Sequence, residues 1–391
     1  MGMDRTILHC DLNGFFASVE LLSHPELQDK PVAVCGDPAS RHGIILAKNE
    51  PAKKYGIKTA ETIWQAQRKC PDLVLLPAHH KEYRRYSKLI NELYEHYTDL
   101  VEPFGIDESW LDVTGSMHLF GGTGKAVADR LRAEVHEQFG LTISVGVSFN
   151  KVFAKLGSDY KKPDATTVIS RENFRDIVWP LPVTDLLFVG RSAAQSLSKF
   201  GIQTIGDLAN FDRSALSDLL GKQGEQLWQY ANGLENSPVA PAGTYIPPKS
   251  VGNGETFSHD LVGMEQLHEG LRPLAEQVAF RLRKHHMKCT TLQLTVRDPH
   301  FRDICRQRPL NAPTCTALEL LRAAMDILTD CWNENSPVRA LTLTAQSLIP
   351  EDQAVEQFNL FDTAAPQRRA KRETLERTMD QLRAKYGTDK I

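Results

Sequence analysis

The chain has 391 residues, 41% of them hydrophobic and 24% charged, with a formal net charge of -3. At roughly 150 residues per domain it is too long for one ordinary core and implies two to four domains. No run approaches the roughly 18 apolar residues of a membrane span, and the start MGMDRTILHCDLNGFF has no basic region followed by an apolar stretch, so no membrane partner and a cytoplasmic location are expected. The seven cysteines (Cys10, Cys35, Cys70, Cys289, Cys305, Cys315 and Cys331) are scattered and never spaced as CxxC, which argues against a disulfide framework and against a zinc site.

In chain order, TILHCDL is apolar and β-rich, NGFFASVELL has helical spacing, and PVAVCG and GIILAKN read as further strands. EPAKKYG is a short helix closed by Gly56. KEYRRYSKLINELYEHYTDL is a long helix with Tyr83, Tyr86, Leu89, Leu93 and Tyr97 assigned to one face. VEPFGIDESWLDVTG then reads as a hairpin, GTGKAVADRLRAEVHEQFG as a helix and LTISVGVSFN as a strand. This interleaving predicts a ferredoxin-like α+β sheet and not a doubly wound one.

From about residue 165 to 235 the sequence is helical with short loops. Two helices around FVGR, followed by FGIQTIGDL, suit a helix-hairpin-helix whose turn, with Gly190 and Arg191, points backbone N–H groups at a phosphate; a plain αα-hairpin satisfies the same spacing. Residues 236 to 249 carry four prolines and read as a linker. Beyond it a second pattern, βαββαβ, is expected. Between Arg281 and Arg308 there are eight Lys or Arg against two Asp, and this local patch makes Arg281, Lys284, Arg297, Arg302 and Arg306 candidate DNA contacts, with a solvated surface as the other reading. The tail from about 350 is polar until the amphipathic KRETLERTMDQLRAKYG, and within it QFNLFD sets Phe358, Leu360 and Phe361 as apolar anchors for a partner.

One stretch needs a chemical reason. In PFGIDESWLDV two adjacent carboxylates, Asp107 and Glu108, interrupt residues bound for a buried sheet. A solvated hairpin tip is one explanation. The other is phosphoryl or nucleotidyl transfer, which needs two divalent ions bridged by carboxylates; Asp11, at the end of the first strand, would complete a set of three if the two strands are neighbours, with Asp112 a bystander.

Four motifs in this order, ILHCDLNGFFASVE, GIDESWLDVTG, VGVSFNKVFAKLGSDYKKPD and LPVTDLLFVGRSAAQSLSKFGIQTIGDL, resemble the Y-family translesion DNA polymerases, in their bacterial DNA polymerase IV (DinB-like) branch. The resemblance runs from residue 6 to about 362 and implies a multidomain right hand. A ferredoxin-like palm would take residues 1–10 and 76–165, small fingers 11–75, a helical thumb with the helix-hairpin-helix 166–235, a linker 236–249, a βαββαβ little finger 250–350 and a tail 351–391. It implies Asp11, Asp107 and Glu108 as catalytic metal ligands with the Leu12 carbonyl, two Mg2+ per site with Mn2+ as the alternative, and Phe16 as a steric gate against a ribose 2'-OH. Phe15, Phe16, Lys53 and Lys162 would meet the dNTP, and Gln357, Phe358, Leu360 and Phe361 would dock on the sliding clamp (β subunit). The implied partners are primer-template DNA, dNTP and clamp, with a monomeric enzyme. The chain departs from the family in the fingers, where a Tyr and an Arg give way to Glu50 and Lys53, and in the thumb turn, which lacks its leading glycine. The expected function is a low-fidelity template-directed polymerase for translesion synthesis; all three carboxylates being present favours it over the alternative, a catalytically weakened DNA- and clamp-binding relative, and another two-metal palm enzyme such as a nucleotidyl cyclase would have no use for the helix-hairpin-helix, the basic βαββαβ unit or the docking peptide.

Overall fold

The computed structural model describes residues 4–37, 43–355 and 364–387. The chain divides into two units, Met1–Thr244 and Tyr245–Ile391, the division falling inside the proline-rich stretch. Unit 1 contains strands β1 (Ile7–Leu12), β2 (Val32–Cys35), β3 (Ile45–Lys48), β4 (Val74–Pro77), β5 (Val101–Pro103), β6 (Glu108–Asp112), β7 (Ile143–Ser148) and β8 (Thr166–Ile169). They form a five-stranded sheet in the order β5-β6-β1-β7-β8 and a three-stranded sheet in the order β3-β2-β4.

Alternation along β1 organises the larger sheet. Leu8, Cys10 and Leu12 enter a core shared with helices Phe15–Leu22, His80–Glu95 and Gly124–Phe139, while Ile7, His9 and Asp11 belong to the opposite face. Helix Lys151–Tyr160 covers that second face, with Ala154 packed against Ile7 and Trp110. Its approach is close enough that a Cβ on Gly146 of β7 would lie 1.8 Å from the Ala154 carbonyl oxygen, so only glycine serves there.

Two expectations shift. The break at residue 11 falls inside β1, because Asp11 pairs in register with Glu108 and with Ser144; the smaller sheet begins only at Val32. On helix His80–Glu95 the buried side chains are Tyr83, Ile90, Leu93 and Tyr94, with Leu89 only half-buried. A 3.6-residue repeat from Tyr83 reaches Ile90 and Tyr94, one position beyond Leu89.

After β8 the chain is helical: Phe174–Val178, Arg191–Ser198, Ile205–Asn210, Arg213–Leu220 and Lys222–Ala231 share one apolar core. Unit 2 has four antiparallel strands, β9 (Val251–Leu261), β10 (Met287–Arg297), β11 (Asp303–Thr314) and β12 (Val338–Pro350), in the order β11-β10-β12-β9. Helices Met264–Lys284 and Ala317–Cys331 pack on this sheet, as the βαββαβ pattern predicts. The last helix, Ala365–Tyr386, starts earlier than its sequence signal and is held by ion pairs: Glu376 and Asp380 to Arg283, and Glu373 to Lys288.

Candidate active site

The sheet brings the three acids together. Asp11 and Glu108 face each other across β1 and β6, and the Leu12 N–H donates to the Asp107 carbonyl at 2.9 Å, which fixes the doublet beside the end of β1. Asn13 closes the strand by accepting from Ser144 Oγ at 2.8 Å and donating to Thr142 Oγ1 at 3.1 Å. Glu108 is thus a pairing position between central strands, while Asp107 lies in the bend before β6 with its carbonyl bonded to Leu12.

Their electrostatics differ. Burial, then the neighbouring Asp11 and Glu108 carboxylates, push Asp107 up to about 6. Burial also opposes charge on Glu108, but contacts from His9 and Lys155 outweigh it and hold that carboxyl at about 2. Lys155 Nζ donates to Glu108 Oε2. His9 Nε2 lies 3.2 Å from the same oxygen, misaligned for a hydrogen bond, while Nδ1 meets Ser158 Oγ at 2.8 Å. Burial lowers the pKa of His9. Lys162 Nζ sits 2.7 Å from Asp11 Oδ2 and 2.8 Å from Asp159 Oδ1; burial opposes its charge, yet these acids keep its pKa above the ordinary lysine value.

This donor set fits a hard divalent cation. His9, Asp11 and Glu108 each offer a ligand atom within 4.8 Å of the others, carboxylate oxygens predominate, and Asp107, raised first by burial and then by Asp11 and Glu108, lies beside them.

Beside the acids, the half-buried Phe16 ring stacks on Tyr83 with centroids 4.0 Å apart and planes 11° apart, and meets His80 edge-on at 5.7 Å. Tyr83 donates to Glu20, which also lies 2.9 Å from His79 Nδ1. Phe15 departs from its expected nucleotide contact: it is 3% exposed and belongs to the sheet core, because residue 15 of this helix points inward while residue 16 does not. No sequence signal marked Glu20, Tyr83 or His9 as parts of this neighbourhood.

Lys53 pairs with Glu50 at 2.5 Å, while Lys48 donates to Thr59 Oγ1 at 3.1 Å. In the helical segment, Gly190 caps helix Arg191–Ser198, and Arg191 is exposed. Thr184 to Gly190 and Lys155, Leu156 and Asp159 border a cleft of about 450 Å3. Where the family's glycine is missing, Phe188 adopts φ 70° and is 53% exposed.

The basic patch of unit 2 is largely compensated from within. Arg297 pairs with Asp303 at 2.7 Å, Arg302 with Asp298 at 2.7 Å, and Arg308 with Asp330 at 2.8 Å, while Arg283 and Lys288 turn to the C-terminal helix. Arg281 donates to the Gly252 carbonyl at 2.9 Å, Arg306 to the Cys305 carbonyl at 2.8 Å, and Lys284 is exposed. A shallow groove of about 550 Å3 runs over Gly252, Gly254, Thr295, Arg297, Thr342 and Thr344. Alternating Thr in ALTLTAQ and Gly in VGNGETF were its sequence signal, which charge counting overlooks. Gln357, Phe358, Leu360 and Phe361 lie outside the described residues.

Residues 10–159 match the impB/mucB/samB family, and residues 248–360 match the impB/mucB/samB family C-terminal domain. The chain is 47% identical over 385 residues to a DNA polymerase IV of Acetivibrio thermocellus, covering 98% of this chain and 96% of that protein. It is 37% identical over 390 residues to DNA polymerase IV 1 of Bacillus subtilis, covering 100% of this chain and 92% of the relative. A Y-family DNA polymerase chimera of known structure shares the fold, with a TM-score of 0.77 and 22% identity, over 88% of this chain and 99% of the chimera.

Proposed function

From the premise that the chain belongs to the impB/mucB/samB family, in its DNA polymerase IV branch, we propose that Asp11, Asp107 and Glu108 form the centre of a template-directed translesion DNA polymerase. The enzyme is a DNA-directed DNA polymerase that depends on divalent metal, takes primer-template DNA and dNTP, and transfers a nucleotidyl group to the primer 3'-OH. The observation that supports the residue assignment is geometric: Asp11 and Glu108 pair across neighbouring central strands, with ligand atoms within 4.8 Å of one another, and the Asp107 carbonyl bonded to Leu12 holds the third acid beside them. Mg2+, with Mn2+ as substitute, would be held by these three acids and the Leu12 carbonyl, and supplies stabilisation of the attacking and leaving oxygens.

The chain's own groups do the rest. Phe16, braced by Tyr83, occupies the sugar side of the nucleotide pocket and excludes a 2'-OH. Lys162 leaves Asp11 for the triphosphate, where a flexible point charge suits phosphate. Lys155 keeps Glu108 ionised. Residues of the five-stranded sheet act as palm, those of the smaller sheet as fingers, the helical segment as thumb with Gly190 and Arg191 at the DNA backbone, and unit 2 as little finger. Arg281, Lys284, Arg297, Arg302 and Arg306 contact DNA phosphates there, joined by the Thr and Gly strand face. The segment 357–362 docks on the sliding clamp, and the enzyme acts as a cytoplasmic monomer; among the described residues no helix is long and apolar enough to cross a membrane.

Primer extension in Mg2+ and in Mn2+ tests this reading. Wild type should extend, Asp107→Asn should not, and Phe16→Ala should extend while admitting ribonucleotides. Alanine at Phe358, Leu360 and Phe361 should remove stimulation by the clamp and spare basal synthesis. If wild type binds primed DNA but extends it with neither ion, the weakened relative replaces the enzyme.

A further inference from the structure

The smaller sheet of unit 1 exposes an aromatic surface that no step above uses. Trp64, in helix Ile63–Lys69, is 63% exposed, and the Arg68 guanidinium lies 4.8 Å from its ring centroid, over one face. Tyr55 is 51% exposed, and Lys69 Nζ, donating to the Gly56 carbonyl at 2.8 Å, ties the end of the same helix to the turn that carries Tyr55. Residues 43 to 77 hold six Lys or Arg against three acids, in a chain of net charge -3. Lys54 and Lys58 are exposed members of that excess. A large aromatic ring left in water among cations fits a ligand that has both a flat π-face and negative charge, which is a nucleobase on its phosphate backbone.

The position of Trp64 selects which bases. A Cβ on Gly14, three residues after Asp11, would lie 3.2 Å from the Lys48 carbonyl oxygen, so the C-terminal end of β3 abuts the site. From there the contacts run back along β3: Lys48 reaches Thr59, Ile45 exchanges backbone hydrogen bonds with Ala60 and Glu61, and Ile44 bridges Thr62, the cap of Trp64's helix. Four strand residues at about 3.3 Å each set Trp64 a few base spacings from the nucleotide pocket. The helical segment that would receive the duplex is built from a different part of unit 1.

We propose that Trp64 is a stacking platform for an unpaired template base not yet copied, its one free face taking the base while Arg68 backs the other and Lys54 and Lys58 meet the phosphates. This rests on the polymerase reading, and it adds a single-stranded DNA site to it. The platform would hold the incoming template strand by stacking, with no dependence on base identity, as a strand that carries damaged bases requires.

The test is equilibrium binding, by fluorescence anisotropy, of full-length protein to labelled primer-templates that differ only in the template 5' overhang: none, six nucleotides, or six abasic units. Wild type should bind the six-nucleotide overhang about tenfold more tightly than the blunt duplex and lose that gain with abasic units. Trp64→Ala should lose the gain and keep wild-type affinity for the blunt duplex, and Trp64→Phe should retain most of it. A full gain in Trp64→Ala overturns the proposal, and so does an equal loss on blunt and overhanging DNA. A wild type that extends no primer would instead count against the polymerase reading, since the overhang comparison does not depend on catalysis.

Discussion

Asp107 is held in a state that opposes folding. Its carboxyl is raised to about 6 from an ordinary 3.8, so the charged form is disfavoured in the folded, metal-free protein. The penalty is absent below about pH 3.8, grows as pH rises, and is complete above about 6. Asp107→Asn should therefore abolish extension yet raise stability at pH 7.5 by about 1–2 kcal/mol, after screening of a partly exposed group is allowed for. Urea unfolding at pH 7.5 and pH 4 without metal checks this: a variant no more stable at either pH would show that Asp107 carries no such strain. Glu50 gives a second expectation. Its pairing with Lys53 ties up a cation that the polymerase reading expects at the triphosphate, so Glu50→Ala should lower the KM for dNTP about 3- to 10-fold with kcat nearly unchanged, as steady-state kinetics will report. The three acids were legible in the sequence because charge inside an apolar strand is anomalous. Glu20, Tyr83 and His9 were not, since their partners lie on other elements and an acid or aromatic in a helix or strand is ordinary until those elements meet.

At the scale of elements, the strands of both sheets and their helices follow from period-2 and period-3.6 patterning, and the differences arise where tertiary packing decides. Phe15 and Phe16 look alike in sequence; only the angle at which their helix meets the sheet buries one and leaves the other against Tyr83. The turn before helix Arg191–Ser198 shows the converse, a local geometry retained without its usual residue. Phe188 takes a left-handed conformation that costs a non-glycine residue about 1–2 kcal/mol. Because its ring is 53% exposed, Phe188→Gly forfeits little packing. The variant should be more stable by about 0.5–1 kcal/mol, once glycine's greater freedom in the unfolded chain is counted. A lower melting temperature would mean that the Phe188 ring, 6.3 Å from that of Tyr230, contributes more than its exposure suggests.

At the scale of the whole molecule, the division into two units was visible as a run of prolines, but the role of the C-terminal helix was not. Its sequence suggested an amphipathic helix; it docks through ion pairs from both its acids and its arginines, and Leu375 is 56% exposed. Arg283, only 6% exposed, depends on Glu376 and Asp380 for its compensation. Removing both charges with Glu376→Gln and Asp380→Asn should destabilise unit 2 by about 3–5 kcal/mol. Hydrogen exchange would register this as faster exchange throughout helix Met264–Lys284, with unit 1 unchanged; unchanged protection in that helix would show that Arg283 finds other partners.

The same docking has a topological consequence for residues 356–363. Glu351, just before them, pairs with Arg377 of the helix that follows, and its N–H donates to the His286 carbonyl at 3.0 Å, so both flanks are fastened to unit 2. A segment fastened at both flanks has no end to thread. On the proposed docking, the surface that grips Phe358, Leu360 and Phe361 must be an open groove that admits a loop from the side, and a closed tunnel that swallows a terminus would be the wrong shape. Held at both ends, eight residues reach outward by at most half their full stretch, about 15 Å. On the docking proposed above, the gripping partner is thereby leashed within that radius of unit 2 and reorients whenever unit 2 does.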